Sequence, residues 1–173
     1  MDQRTVTYRQ HLTREIQISR RTLLGVVIMT VINIACLLSN SGTYLLFSIS
    51  VPYYLTWFGK GMDNGFGVTW ELSGENTLIG FAIAAGILLV YLLFWLMSAK
   101  NSGWLTAAVV CLCVDLAALI AVSLLLSAGL TGCLVDGIFH IVAIWQIGKG
   151  VSADRKRRDL PPEQNYTVVG PDL

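Results

Sequence analysis

The sequence predicts an all-α integral membrane protein, a four-helix bundle with an outer, aromatic, partly re-entrant connection. Three observations carry that expectation. Hydrophobic residues make up 54% of the 173 residues and charged residues 13%, about half the charge of a soluble domain. Four stretches approach the roughly 20 apolar residues that a helix needs to cross a hydrocarbon core. The basic residues gather at the two ends of the chain. Low charge and a mean hydropathy of +0.63 exclude a soluble enzyme or a disordered chain, and the length allows one compact unit. A formal net charge of +1 also excludes a nucleic-acid partner, which calls for a strongly basic surface. The lipid bilayer is the partner that the composition requires.

Residues 1–21 form an N-terminal tail with Tyr8, Leu12 and Ile16 on one helical face and Arg9, Arg14, Glu15 and Arg20 on others. This amphipathic helix either lies among headgroups or continues into the first span. The membrane domain covers 22–148, with spans at about 22–40, 77–98, 104–127 and 130–148. The first apolar run is longer than a signal-peptide core, so cleavage is not expected. Lys100 to Gly103 and Gly129 make short turns, so spans two, three and four are antiparallel neighbours. The outer connection, 41–76, contains an apolar stretch too short to span, rich in aromatics: Tyr44, Phe47, Tyr53, Tyr54 and Trp57. Interfacial placement, a re-entrant path or a share in a span all remain open for 43–58. Residues 149–173, with Arg155 to Arg158 and Pro161-Pro162, read as a basic, disordered tail.

Charge placement decides the number of spans. Lys and Arg concentrate on the cytoplasmic side. With four spans both tails and Lys100 lie inside, and of the twelve basic residues only Lys60 falls outside, beside Asp63, Glu71 and Glu75. Both termini are therefore expected to be cytoplasmic.

Three ionisable residues interrupt the spans: Asp115, Asp136 and His140. Each costs roughly 2.5–3.5 kcal/mol at the bilayer centre and calls for a partner. Asp115 and His140 fall at matching depth on neighbouring helices, Asp136 lies one turn from His140 on the same face, and Asn33 reaches similar depth on the first span. Three readings follow. The groups read as a hydrogen-bonded set that fixes helix register, as a proton or cation relay, or, with Cys111, as a zinc site of Cys111, Asp115, Asp136 and His140. The C-x-C of Cys111 and Cys113 weighs against the metal, because two residues apart on a helix point in different directions. No cofactor is expected otherwise. No C-x-x-C, HExxH, G-x-S-x-G or P-loop pattern occurs, so no catalytic residue is assigned and an enzyme is not expected.

Cys36 and Cys133 both lie about one turn from the outer surface and would pair in a disulfide if the first and fourth spans touched. Gly80/Ala84 and Ala82/Gly86 give the second span two small-xxx-small faces, compatible with close packing or a homo-oligomer.

The segment Leu134-Val135-Asp136-Gly137-Ile138-Phe139-His140-Ile141, followed by Lys149 and a basic tail, resembles the last span of small uncharacterised multi-span membrane proteins of Gram-positive bacteria. The run Thr43-Tyr44-Leu45-Leu46-Phe47-Ser48 to Pro52-Tyr53-Tyr54 is similar to theirs as well. The resemblance implies a bacterial plasma membrane and an Asp/His pair at Asp136 and His140; it brings no assigned function. The expected function is a small membrane transport or accessory protein whose polar centre handles a proton or cation. The alternative is a structural or interaction subunit of a membrane complex, in which the cluster only fixes helix register.

Overall fold

A computed structural model describes residues 6–39, 41, 43–45, 48–64, 74–125, 130–160 and 167–168, without the side chains of 6–7, 130–133 and 167–168. Among the described residues the regular structure is helical apart from a two-residue antiparallel pairing of β1 (Val6–Thr7) with β2 (Thr167–Val168). The helices are α1 (Tyr8–Leu38), α2 (Ser50–Asn64), α3 (Glu75–Met97), α4 (Gly103–Leu125) and α5 (Leu130–Asp159). Among them α1, α3, α4 and α5 are each long and apolar enough to cross a membrane. The protein is thus an all-α membrane bundle of four such helices plus one short one.

No Pro interrupts residues 8–38, so the amphipathic N-terminal stripe and the first apolar run fuse into one helix. The stripe turns inward: Leu12 and Ile16 are buried in the same core cluster as Ala153 of α5. That contact corrects the expectation of a disordered tail from residue 149. The chain stays helical to Asp159 because Ala153 has α1 to pack on and Asp154 has local partners. Asp154 accepts from Arg158 Nε at 2.7 Å and Arg157 Nη2 at 3.1 Å, and Arg158 Nη2 also reaches Ser102 Oγ at 3.3 Å in the α3–α4 turn. Burial pushes the Asp154 carboxyl up, but the Ser102 hydroxyl and the two guanidinium groups outweigh it and hold the group below the usual carboxylate range.

The helices pack in pairs, α1 along α5, α4 along α5, and α2 along α3. At the α1–α5 crossing Ser19 Oγ donates to the Gln146 carbonyl at 2.7 Å, with Gly150 closing on the Ser19 side chain. The end of the bundle carrying both chain termini is the tail end; the opposite one is the distal end. At the tail end Arg20 donates to Ser98 Oγ at 3.0 Å and lies over the Trp95 ring, tying α1 to α3.

The connection after α1 is re-entrant. The chain leaves α1 at the distal end, has no regular structure at the described positions 43–45 and 48–49, and starts α2 against the middle of α4, where Asp115 binds the first turn of α2. Fifteen residues then carry α2 about 22 Å back toward the distal end. Pro52 fits because the first turn of a helix has no internal use for its N–H. Glycine sets how closely α2 and α3 approach. A Cβ on Gly59 would collide with the Asn76 carbonyl, and one on Gly80 with the Leu55 carbonyl. Of the two small-residue faces on α3, Gly80/Ala84 is thus the one that packs, whereas Gly86 has nothing within 4 Å. At the top of the pair Asp63 caps α3, accepting from Thr77 N–H and Oγ, both at 2.6 Å, and from Asn76 N–H at 3.2 Å. Lys60 donates to the Leu37 carbonyl at 2.8 Å, closing the end of α1.

Candidate functional site

Non-helical backbone at membrane depth survives only where protein satisfies its N–H and C=O groups. Here two helices supply the partners. Asn33 of α1 binds both polar groups of Leu45: its Nδ2 donates to the Leu45 carbonyl and its Oδ1 accepts the Leu45 N–H, each at 2.7 Å. One turn earlier Thr30 Oγ1 accepts the Ile49 N–H at 2.7 Å while donating to the Val26 carbonyl at 2.8 Å. Asp115 of α4 then takes over, with the Ser50 N–H on Oδ2 and the Val51 N–H on Oδ1, both at 2.8 Å. A carboxylate on two N–H groups is a charge-assisted N-terminal cap, set against the positive end of the α2 dipole. It comes from another helix.

His140 of α5 sits against this cap. Its Nε2 is 2.8 Å from Asp115 Oδ2, and its Nδ1 is 2.9 Å from the Asp136 backbone carbonyl. A carbonyl only accepts, so Nδ1 carries hydrogen. Asp115, already receiving two N–H bonds, accepts from Nε2 as well, which places a proton between the imidazole and the carboxylate. Asp115 and His140 are 3% exposed, so this contact is sealed from solvent.

Asp136, at 4% exposure, is arranged differently. Its Oδ2 accepts from Tyr44 OH at 2.9 Å and from Ser50 Oγ at 3.3 Å. Its Oδ1 is buried and has no hydrogen-bond partner, the nearest ring nitrogen being His140 Nδ1 at 3.8 Å. Ser50 Oγ, 3.4 Å from His140 Nε2, links the Asp136 side to the Asp115–His140 pair. Ser48 Oγ completes the group, 3.2 Å from Tyr44 OH.

The structure therefore brings Asn33, Asp115, Asp136 and His140 to one region and joins them through the backbone and hydroxyls of residues 44–51. Thr30, Ser48 and Ser50 are further members with no assigned role in the sequence reading; a serine on each side of Ile49 ahead of Pro52 was the available signal. The zinc set is corrected. Among the described residues no three His, Cys, Asp or Glu side chains converge as a metal-binding group. Cys111 packs on the apolar core, while Asp115 turns to the first turn of α2. The Cys36–Cys133 disulfide falls in part outside the described residues. Cys36 is a free thiol, and the side chain of Cys133 lies outside the described residues. Near the distal end Asn33 of α1 binds the backbone of Leu45, and Asp136 of α5 binds the hydroxyl of the adjoining Tyr44.

Of the aromatic surface, Tyr44 stacks edge-on against Tyr53 with centroids 4.9 Å apart, and Tyr53 against Tyr54 at 5.7 Å. Tyr54, Trp57 and Phe58 line an apolar groove of about 320 Å³ against Ala118, Val122 and Leu125 of α4. Phe47 lies outside the described residues. The chain is a membrane protein with a buried Asp/His cluster, and no family model, curated protein or solved structure matches it.

Proposed function

We propose that the protein is a small membrane transport or accessory protein in which Asp115, His140 and Asp136 handle a proton. The observation that carries this reading is His140, held between two acceptors, with a proton shared between its Nε2 and Asp115. Ionisable groups inside membrane helices commonly serve proton and ion pathways. A half-length helix starting near the centre of the bundle is the form that ion and substrate sites of transporters take. The same carboxylate caps α2, so moving the proton changes the charge on which α2 is seated. The basic ends support cytoplasmic termini, and the resemblance stated above supports a bacterial plasma membrane as the location.

A specific observation favours a second reading. Asn33, Thr30 and Asp115 all bind backbone of the re-entrant segment, as a purely structural subunit would require. Liposomes carrying a pH-sensitive dye separate the two. Transport predicts an internal pH change above that of empty vesicles under one sign of membrane potential, lost in Asp115→Asn and in His140→Gln at equal insertion. Wild-type vesicles indistinguishable from empty ones under both signs would leave the structural reading.

A further inference from the structure

We propose that Asp136 is the site that takes up the proton, and that the proton arrives only from the distal end of the bundle, past Tyr44. This rests on the proton-handling reading and adds the receiving residue and the side from which it is loaded.

The first observation is the orphaned oxygen. Asp136 is buried to within 4% of its full exposure, yet Oδ1 has no donor. Every other carboxylate oxygen of the cluster is engaged: both of Asp115, and Oδ2 of Asp136. His140 and Asp115 hold one proton between them and balance each other, which leaves Asp136 as the group whose charge has no equal partner. An unpaired carboxylate sealed from water is costly. One proton on Oδ1 removes that charge, and Oδ1 is the oxygen with nothing to displace. The chemistry is a single proton transfer: a hydronium ion at the distal end gives up one O–H bond, the new O–H bond forms at Oδ1, and the hydronium leaves as neutral water.

The second observation is the asymmetry of access. Among the described residues Tyr44, at 36% exposure, is the one member of the cluster that reaches the surface, and its hydroxyl bonds directly to Asp136. Ser41 and Thr43, both exposed, precede it. On the tail side the cluster is closed by Leu23, Val26 and Val27 of α1, Leu112 of α4, and Ala143 and Ile147 of α5, all buried in one apolar cluster. Among the described residues the buried side chains with a hydroxyl on that side are Tyr91 of α3, whose ring packs within this same apolar cluster, Ser19, whose hydroxyl is bonded to Gln146, and Ser98 and Ser102 at the tail end itself, near the buried carboxylate of Asp154. A proton moving that way would cross low-dielectric packing without a hydrogen-bonded path.

The titratable groups around Asp136 are few. Tyr44 faces it from the descending segment, His140 from its own helix and Asp115 from α4; Tyr53 lies behind Tyr44 on α2, and Tyr91 of α3 faces Asp115. Uptake at Asp136 is transmitted to α2 through Ser50, which bonds Asp136 Oδ2 with its side chain and Asp115 with its N–H.

The test is infrared difference spectroscopy on the full chain in sealed vesicles of known orientation, with the lumen strongly buffered. Acidifying the bath should raise the carbonyl band of a protonated carboxyl group when the distal end faces out. With the tails facing out, the band should rise at least about a hundredfold more slowly, the factor set by carrying a charge through an apolar layer. Asp136→Asn should abolish the band; if that variant does not insert, Asp136→Glu should move it in frequency. A band that follows the tail-side pH, that survives Asp136→Asn, or that is absent at every pH overturns the inference. So does a band that sodium ions suppress at fixed pH, which would make the occupant a metal cation. Failure of transport is separable: a distal-loaded band in vesicles without proton flux keeps the inference and removes transport, whereas flux with a tail-loaded band does the reverse.

Discussion

The substitution Asn33→Leu removes the two bonds to Leu45 while keeping the side chain's approximate volume. If Asn33 only fixed helix register, its loss would cost about 0.6 kcal/mol, the average for polar contacts between membrane helices. The structure gives it a different task. Both partners are main-chain groups of a segment with no regular structure, each bonded at 2.7 Å. Asn33 itself is fully buried. A leucine in its place would strand one N–H and one C=O, each costing about 1–3 kcal/mol. The expected destabilisation is therefore about 2–6 kcal/mol, twice that single-group cost. Reversible unfolding in mixed detergent micelles, followed by tryptophan fluorescence, measures it. Thiol labelling of a cysteine placed at Thr43, on a background without other cysteines, should show this segment released in the variant. A loss near the register-only value of about 0.6 kcal/mol, with unchanged labelling, would refute the assignment of Asn33 as a backbone clamp.

Gly80→Ala should destabilise the α2–α3 pair by about 1–3 kcal/mol, because the new methyl meets a backbone carbonyl, whereas Gly86→Ala, in open space, should change thermal stability by less than about 1 kcal/mol. Asp154, held below the usual carboxylate range, stabilises the end of α5 fully above the unfolded carboxyl value of about 3.9. That contribution drains away as pH falls through the lower folded value, so protease cleavage within 149–159 should rise with acid in wild type and lose this pH dependence in Asp154→Asn. Cysteines at 60–64 should react with an impermeant thiol reagent from the side opposite to those at 5–15 and 155–165; labelling of the two tails from opposite sides would contradict an even number of spans.

The long helices were legible because their signal is local. Length and hydropathy mark residues 22–40, 77–98, 104–127 and 130–148, and the structure has helices there. The meeting of Asp115 with His140 was also legible, since the turns around α4 fix their depths and neither side chain has a place in lipid. The start of α2 was not. Residues 44–58 are apolar, aromatic and interrupted by Pro52, a pattern shared by an interfacial loop, a re-entrant segment and a short span. What selects the re-entrant path is a carboxylate on a helix far along the chain, and no local period reports it. For the same reason Asn33 was grouped with the ionisable side chains, although its partner is the backbone of Leu45. The tail beyond residue 149 looked too polar to fold alone. Its first part, to Asp159, is helical because the N-terminal stripe of Leu12 and Ile16, remote in sequence, supplies the missing apolar surface.

The centre of this reading is the proton between His140 and Asp115, and solid-state nitrogen NMR of the reconstituted protein tests it directly. The chain has two histidines, so His11→Gln leaves His140 as the single labelled imidazole. At neutral pH both ring nitrogens of His140 should carry hydrogen, with Nε2 coupled to a carboxylate and Nδ1 to a carbonyl. A bare Nε2 that receives no hydrogen bond from a carboxylic acid would show that Asp115 and His140 share no proton.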